Sequence, residues 1–527
     1  MKTWKRGLSG LAAAVMAAGM LAVPAMAETE GAEITYPIED AGSFTLGYKI
    51  NSAWSDRYDS FDQLPLGQAL QANTGFEMEM VHVADNTAMN LLLASGELPD
   101  AIIYNFYSNY AGREAKAMSD GLLYPMTEEF VQTYAPDYWK VISSDPEILK
   151  SVKTPEGDIW GFAFILGDDL LRAGFTMFVR DDWCAELGID LPDTADEYYE
   201  MLKKFKDEKG VEIPLCVSMD TLKNMLNIGT ITSPFGLVTM NTYQEDGVVK
   251  IGYAQEEFKG VLEWLNKLYS EGLLDPNFAT VDKDTVNANM LSGKSGASAG
   301  ATGSVLGTLL QTNQDDDYSL AGLYNLVEKD GDKPMFGQWN SKVVGGGIGV
   351  ITSSAKEPEK IAEFFNYGYT EEGHMLYNFG IEGESYEMVD GKPILTDDVL
   401  HNPDGLTAKQ ALSEYMMAWD NGPFVQDKDY LLQYYTEDAQ KVALEKSAYS
   451  DAEKYVLPRI TISADDTNEY SSLTSELETY RDEMIIKFIR GEESLDNFDK
   501  YLSTLDSMGV SRLQEIVQNA LDEFNAR

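Results

Sequence analysis

The chain has 527 residues, more than one hydrophobic core usually holds, so its length predicts two or three domains. Its 87 acidic residues outnumber its 40 basic residues and give a net charge of −47, which argues against nucleic acids and anionic lipid surfaces as partners. A hydrophobic content of 44% excludes wholesale disorder, so we attribute the charge to a solvated acidic surface, which by itself indicates no ligand.

Residues 1–27 have the pattern of a secretory signal peptide. Three basic residues within the first six precede an apolar run over residues 8–23, and residues 25–27, Ala-Met-Ala, form a cleavage site. The run is shorter than the roughly 20 residues that a membrane span needs, so we expect an exported, soluble mature chain that starts near Glu28. Residues 28–42 are acidic and contain glycine, which is typical of a flexible lead-in.

The next part of the chain alternates between strand and helix patterns. The predicted elements are strand 43–50, helix 66–72, strand 76–80, helix 86–95 and strand 101–104. This alternation predicts an α/β fold with a mostly parallel sheet covered by helices. In such sheets ligands lie beyond the carboxyl ends of the strands, so the loops after Ile50, Val83 and Ile103 are the places where we expect binding residues.

Cysteine and histidine positions give no sign of a metal site. Cys184 and Cys216 both lie in apolar contexts, which leaves a disulfide possible but favours buried free thiols. His82, His374 and His401 lack the spacing of metal-binding pairs on a helix, so we expect no metal and no cofactor. The position of His82 on the apolar side of a predicted strand favours a hydrogen-bonded buried histidine.

Hydrolase chemistry has one sequence pattern in its favour. Residues 296–300 satisfy the G-x-S-x-G pattern of a nucleophile elbow, with Ser298 in the nucleophile position. The apolar strand and the helix that must flank an elbow are missing, so a small-residue strand or loop is favoured and we expect no catalytic residue. Because the 87 acidic residues offer many carboxylate pairs, the sequence leaves a secreted glycan-degrading hydrolase open as an alternative.

Residues 345–393 contain a distinctive order of elements. A glycine-rich apolar run over residues 345–351 predicts a buried strand, and Pro358 lies where a helix should begin. Ile361, Phe364 and Phe365 then form one apolar stripe, so we expect the helix to pack on the strand.

Several motifs occur together along the chain. They are LLLASGELPDAI at 91–102, FVRDDW at 178–183, MLSGK at 290–294, EPE at 357–359, EEG at 371–373, GIEG at 380–383 and DGKP at 390–393. In this order they resemble the extracellular solute-binding proteins of ABC importers, family 1, and particularly its large branch associated with oligosaccharides. Glu357 departs from the asparagine that is usual there, but a helix can still begin at this point.

The resemblance implies a two-lobed, periplasmic-binding-protein-like α/β fold of type II, with about three hinge crossings. Lobe 1 should comprise residues 43–170 and 340–455, and lobe 2 residues 171–339 and 456–527. By the same analogy, the third crossing should lie at the segment 456–460.

Aromatic residues after predicted strands or in polar contexts could stack on sugar rings, and nearby carboxylates and amides could bind hydroxyl groups. The expected ligand-binding residues are Trp54, Asp56, Tyr104, Asn105, Tyr107, Asp168, Asp169, Trp339, Asn340 and Trp419.

The resemblance implies the substrate-binding component of an ABC importer, not an enzyme. It should capture a small polar solute, in the first place an oligosaccharide, in the cleft between the lobes by hinge closure. As a monomer it should deliver that solute to a membrane permease, and through the permease it should work together with the ATPase of the importer. A binding protein for peptides or other polar solutes is the nearest alternative. Many relatives carry a lipid-modified cysteine after the signal, whereas Cys184 is the first cysteine here, so we expect no lipid anchor.

We predict that the exported protein starts at or near Glu28 and carries no lipid, because the signal ends in Ala-Met-Ala and no cysteine lies nearby. The intact mass of the protein recovered from the producing cells tests this. A diacylglycerol mass increment, or retention of residues 1–27, would contradict it.

Overall fold

The structure, a computed structural model, describes residues 33–527 except 111, 314, 316 and 464, and of residues 345–347 it describes only the backbone. The predicted signal peptide lies outside these residues. Within the described part of the chain, no helix combines the length and apolarity needed to cross a membrane.

Fourteen strands are present among the described residues. In chain order they are β1 (Ser43–Lys49), β2 (Glu77–Val83), β3 (Ala101–Tyr104), β4 (Phe162–Leu166), β5 (Phe175–Arg180), β6 (Ile213–Leu215), β7 (Thr242–Glu245), β8 (Val248–Ile251), β9 (Ser295–Ala301), β10 (Leu320–Gly322), β11 (Val343–Ile351), β12 (Tyr386–Val389), β13 (Lys392–Leu395) and β14 (Val425–Gln426). They form two main sheets and two hairpins, β7–β8 and β12–β13.

The α-helices cover both sheets and form the C-terminal part of the chain. In chain order they are α1 (Pro65–Thr74), α2 (Asn86–Ser95), α3 (Phe106–Asn109), α4 (Arg113–Ser119), α5 (Glu128–Tyr134), α6 (Pro136–Ser143), α7 (Pro146–Ser151), α8 (Asp181–Leu187), α9 (Ala195–Asp207), α10 (Met219–Asn227), α11 (Phe258–Ser270), α12 (Lys283–Leu291), α13 (Thr308–Thr312), α14 (Pro358–Asn366), α15 (Glu371–Phe379), α16 (Asp397–Leu400), α17 (Ala408–Tyr415), α18 (Lys428–Tyr434), α19 (Asp438–Ala448), α20 (Thr467–Arg490), α21 (Phe498–Met508) and α22 (Val510–Ala526).

The larger sheet has the strand order β14-β4-β11-β3-β1-β2. The predicted β-α-β-α-β unit is present, and β1 pairs in parallel with both β2 and β3. The carboxyl ends of β1 and β3 are therefore a topological switch point, the usual place for a ligand in an open α/β sheet. The sheet is mostly parallel, as predicted, with the exception of β11, which runs antiparallel to its neighbours β3 and β4. This strand enters from the other half of the molecule and is not constrained by a β-α-β crossover.

The smaller sheet has the strand order β10-β5-β9-β6, and only β6 and β9 pair in parallel. Each sheet has its own large hydrophobic core, one built on the first sheet and one shared between the second sheet and the C-terminal helices. We call these two halves lobe 1 and lobe 2. The chain is thus a two-lobed α/β protein, as expected.

Helix α19 packs on lobe 2, although we expected residues up to 455 to belong to lobe 1. Ala443 is fully buried in a cluster with Phe178 of β5 and Leu320 of β10. A Cβ atom added to Gly322 would lie 2.3 Å from the Cβ of Ala443, so the helix and strand backbones are in close contact. The chain therefore enters lobe 2 before α19, and the extended segment at 456–460 is not the third crossing.

The order of elements predicted around residue 350 is present. Helix α14 begins at Pro358, and its residue Phe365 packs directly against β11. A Cβ atom added to Gly349 would lie 2.7 Å from the Phe365 ring, so glycine here permits the close approach of helix and strand.

The described part of the expected lead-in is packed on lobe 1 rather than free. The Tyr36 hydroxyl donates a 2.5 Å hydrogen bond to the carbonyl of Glu363, and the Tyr36 ring lies 5.2 Å from that of Tyr367. An aromatic ring and a backbone hydrogen bond hold this segment against α14, which the acidic composition of residues 28–42 did not indicate.

Trp54 is part of the lobe 1 core, which corrects its expected role as an exposed stacking surface. The chain after β1 coils, because Trp54 N–H donates to the Asn51 carbonyl and Tyr58 N–H donates to the Trp54 carbonyl. The coil turns the indole inward, where it is 1% exposed and lies 6.1 Å from the His82 ring. The ring has no face open to a solute.

We predict that Trp54→Ala lowers the free energy of unfolding by about 3–5 kcal/mol, because it leaves a cavity in the core. Urea unfolding of the ligand-free protein measures this. Leu91→Ala, whose side chain is 68% exposed, serves as the control and should change stability by less than about 0.5 kcal/mol. Unchanged stability of Trp54→Ala with loss of solute binding would restore the stacking role.

Candidate functional site

A cleft of about 580 Å³ lies between the two lobes. Lobe 1 contributes Asn105 and α3, which follow β3, together with Arg113 at the start of α4, and lobe 2 contributes residues around Asn227 and Asn241. The segments 336–344 and 456–462 also line the cleft. The cleft therefore begins at the carboxyl end of β3, as strand order predicts, and a solute in it would touch both lobes.

The lining differs in charge from the rest of the protein. It contains many amides and hydroxyl groups and two arginines, Arg113 and Arg459, but no Asp or Glu among its described residues. In a chain with 87 acidic and 40 basic residues, this local reversal of charge is a specific feature of the site.

Arg459 is fixed at the cleft by a buried ion pair. Its Nη2 donates to Oε1 of Glu114 in α4, and both residues are 6% exposed. The guanidinium also lies 4.7 Å from the centre of the Tyr107 ring and 4.8 Å from that of Trp160. These contacts join the 456–462 segment of lobe 2 to lobe 1.

Arg113 contacts the same tyrosine. Its guanidinium lies 3.9 Å from the centre of the Tyr107 ring and 5.9 Å from that of Tyr470 in lobe 2. Because both guanidinium groups lie over its ring, Tyr107 positions the two cations and is less available for stacking on a sugar.

Five buried polar atoms of the lining have no hydrogen-bond partner among the described residues. They are Asn227 Oδ1, Gln338 Oε1, Trp339 Nε1, Ser341 Oγ and Arg459 Nη1. A buried polar atom without a partner costs free energy, and such atoms in a cleft can be satisfied by water or by a polar solute.

A smaller cavity of about 150 Å³ continues the cleft along the first sheet and shares Asn105 and Asn421 with it. At its edge, the amide of Asn51 donates a 3.1 Å hydrogen bond to Asp420. Tyr104 also borders it, although this residue is only 4% exposed. Burial raises the pKa of Tyr104, so its hydroxyl stays protonated and donates to Asn90 at 3.2 Å.

Four of the ten expected site residues line the main cleft and a fifth borders the smaller cavity. Asn105, Tyr107, Trp339 and Asn340 are in the cleft, and Tyr104 is in the cavity. Asn105 also caps α3, since its Oδ1 accepts from Ser108 N–H at 2.9 Å.

The other five lie elsewhere, as Trp54 does in the core. Asp56 is exposed and lies outside both cavities. The Trp419 Nε1 donates to the Met416 carbonyl at 2.7 Å, so the indole closes a local turn. Asp168 and Asp169 have local roles as well. Asp168 pairs with Lys428 at 2.6 Å and Asp169 with Arg172 at 3.3 Å. Although partial burial works in the opposite direction, the hydrogen bond from Lys428 lowers the pKa of Asp168.

Trp339 and Asn340 are held by the first crossing between the lobes. The guanidinium of Arg172 lies 4.4 Å from the centre of the Trp339 ring, and its Nε donates to the Asn340 carbonyl at 2.7 Å. Because Arg172 occupies one face of the indole, only the other face or the ring edge could contact a solute.

The sequence analysis missed Arg113, Arg459, Asn227, Asn241 and Asn421. One signal was available for Arg459, because it lies in the interrupted segment 456–460 and is a cation in a strongly acidic chain. Nothing in the sequence links Arg113 to Arg459, which are 346 positions apart in the chain and share Tyr107 only in the folded protein.

The other sequence motifs have structural roles. Ser298 lies within strand β9, is 1% exposed and donates to the Cys216 carbonyl at 2.7 Å, so residues 296–300 do not form a nucleophile elbow. Cys184 and Cys216 are buried free thiols, and burial raises the pKa of each to about 12. His82 accepts from Phe61 N–H at Nε2, which leaves Nδ1–H to donate to the Tyr48 carbonyl at 3.2 Å.

The chemistry of the cleft suits binding rather than hydrolysis. Glycoside cleavage needs two carboxyl groups about 5 to 9 Å apart on either side of the scissile bond. The described residues of the main cleft provide no carboxyl group, and the smaller cavity that continues it provides a single one, that of Asp420. They provide hydrogen-bonding groups, aromatic rings and guanidinium groups, which hold a solute without changing it.

Comparisons with known proteins agree with this geometry. The family model described as bacterial extracellular solute-binding protein matches residues 54–375. Lipoprotein LipO of Bacillus subtilis (strain 168) is 26% identical over 492 residues, covering 86% of this chain and 88% of LipO. The polygalacturonan/rhamnogalacturonan-binding protein YtcQ of the same strain is 25% identical over 465 residues, covering 85% of this chain and 86% of YtcQ.

A solved structure shows the same fold. The ABC-transporter substrate-binding protein FusA of Streptococcus pneumoniae, in complex with kestose, superposes with a TM-score of 0.70 at 20% identity and covers 92% of this chain and 99% of FusA. The family match spans more than half of the chain, and its members are substrate-binding proteins rather than enzymes. The two lobes, the cleft between them and this match together establish that the chain belongs to the bacterial extracellular solute-binding proteins.

Proposed function

We propose that this protein is the oligosaccharide-binding component of an ABC importer and passes its solute to a membrane permease. The single observation that carries the proposal is the cleft between the lobes. Its volume of about 580 Å³ is within the roughly 300–1,000 Å³ typical of small-molecule sites. Such a volume accommodates a short sugar chain.

The lining offers both hydrogen-bonding groups and aromatic rings, which suit the hydroxyl groups and the apolar faces of a sugar. Hydroxyl groups need donors and acceptors once they are buried, and Asn227, Gln338 and Ser341 offer atoms without partners in the described chain. Aromatic rings contact the apolar faces of pyranoses, and Trp339 and Phe336 border the cleft. The names of YtcQ and of the FusA complex, which refer to polysaccharide binding and to kestose, support the same class of solute.

Hinge closure gives the mechanism. Asn105 belongs to lobe 1, whereas Asn227 and Asn241 belong to lobe 2, so a solute can contact all three only when the lobes are close together. Binding then shifts the equilibrium toward the closed form by the difference in affinity between the two forms. We propose that a permease recognises the closed form.

We propose lobe boundaries that follow the packing of α19. Lobe 1 comprises residues 43–170 and 340–435, and lobe 2 comprises residues 171–339 and 436–527. Tyr435 supports the position of the third crossing, because it packs in one small cluster with Leu444 of α19. We further propose that the protein acts as a monomer at the cell envelope.

We predict that an oligosaccharide raises the melting temperature. A solute at 100 times its dissociation constant adds about 2.7 kcal/mol of stability, or about 5 to 10 °C for lobes of this size. A thermal-shift panel of neutral and acidic oligosaccharides, peptides and polyamines measures this, with matched monosaccharides as controls. Stabilisation by peptides or polyamines alone would refute the oligosaccharide proposal and favour the alternative solutes.

A further inference from the structure

We infer that the solute is an anionic saccharide, carrying carboxylate or sulfate groups, and that Arg113 binds its negative charge. This inference rests on the proposed function and names the class of sugar. The described lining of the main cleft has two arginines and no carboxyl group in a chain of net charge −47. The carboxyl groups beside it are Glu114, which pairs with Arg459, and Asp420, which lies in the smaller cavity. A cleft with this charge attracts anions that the rest of the surface repels.

Arg113 is distinguished from the other arginines by its lack of an ion pair. Each of the other eight arginines between residues 33 and 527 has a carboxyl oxygen within 4.0 Å. No such carboxyl group of the described residues accompanies Arg113, and its guanidinium lies over the rings of Tyr107 and Tyr470. In so acidic a protein, an arginine without a carboxylate partner in a cleft is available for an external anion.

Arg459, which also lines the cleft, supports the same conclusion. Glu114 neutralises its charge through the buried ion pair, so the charge of the Arg113–Glu114–Arg459 group remains one positive unit. Arg459 is 6% exposed and lines the cleft, and its second terminal nitrogen, Nη1, is buried without a hydrogen-bond partner in the described structure. The site thus holds a donor as well as a cation, both near Tyr107.

Arg113 has a backbone conformation that is unfavourable for residues other than glycine. The residue has φ 60°, in the left-handed region that glycine adopts freely and that other residues adopt only at a cost in free energy. It follows Gly112 and begins α4. A glycine would relieve the strain, so the guanidinium is the feature that this position supplies.

When the lobes close, the affinity depends on whether the solute carries a charge opposite to that of Arg113. When the lobes close on a neutral sugar, Arg113 loses water without gaining a counter-charge, which is unfavourable. A carboxylate or sulfate gives the planar guanidinium two parallel hydrogen bonds and neutralises it. The site should therefore select the charged form of a saccharide over the neutral form of the same length.

The test uses pairs of trisaccharides that differ only in charge. Trigalacturonate is compared with (1→4)-linked galactotriose, trimannuronate with mannotriose, and a sulfated carrageenan trisaccharide with its desulfated form, each by calorimetric titration at low and high salt. We expect at least one anionic member to bind about tenfold or more tightly than its neutral partner at low salt. High salt should reduce this difference.

Variants assign the effect to Arg113. Arg113→Gln should weaken binding of the preferred anionic trisaccharide about 10- to 100-fold and reduce its salt dependence, whereas Arg113→Lys should retain part of both. Lys259→Gln also removes one positive charge, from a partly exposed side chain of lobe 2 outside the cleft, and should leave the affinity within about twofold of the wild-type value. The ligand-free melting temperature of each variant confirms that it is folded.

The outcomes separate this inference from the proposed function. If neutral members bind as tightly as their anionic partners, or if Arg113→Gln binds the anionic member like the wild type, the inference is overturned while the oligosaccharide function stands. If no saccharide of either kind binds but another solute does, the proposed function fails and the inference fails with it. Anionic preference that separates sulfate from carboxylate identifies the group that Arg113 binds.

Discussion

The buried ion pair between Glu114 and Arg459 sets the geometry on which the cleft depends. Removing one partner of such a pair commonly costs about 3–5 kcal/mol, because the remaining charge is left buried and unpaired. The pair holds the start of α4 against the 456–462 segment, and Arg459 also packs on Tyr107. Tyr107 in turn lies under Arg113. One polar contact between the lobes thus fixes the position of the only arginine of the described chain that lacks an ion pair.

The same contact bears on how the lobes move. Because it is buried and joins the lobes, a hinge motion that keeps it intact must pivot nearby, so the far parts of the cleft would move most. Arg172 links the first two crossings through Trp339 and Asn340, which also limits the motion there. One fold can hold sites for many different ligands, so the residues of the cleft, and not the fold, select the charge of the solute.

Local sequence patterns predicted the secondary-structure elements, whereas tertiary packing determines which residues line the binding site. The strands and helices of residues 43–104 and the start of α14 at Pro358 follow from apolar periodicity and turn residues, which act over a few positions. Trp54 was placed wrongly because the sequence shows a loop after β1 but not that the loop coils and turns the indole inward. The third crossing was misplaced because a proline such as Pro458 ends a helix or strand within a lobe as well as between lobes. The lobe to which α19 belongs depends instead on its packing against a strand more than 100 residues away in the chain. Arg113 and Arg459 meet only through the fold.

A solute bound between the lobes should close them. Small-angle X-ray scattering of the protein with and without a saturating saccharide tests this most directly, because closure of two lobes changes the radius of gyration. We expect a smaller radius of gyration and a shorter maximum dimension in the bound protein. Tight binding, shown by titration on the same sample, with superimposable scattering curves would contradict it.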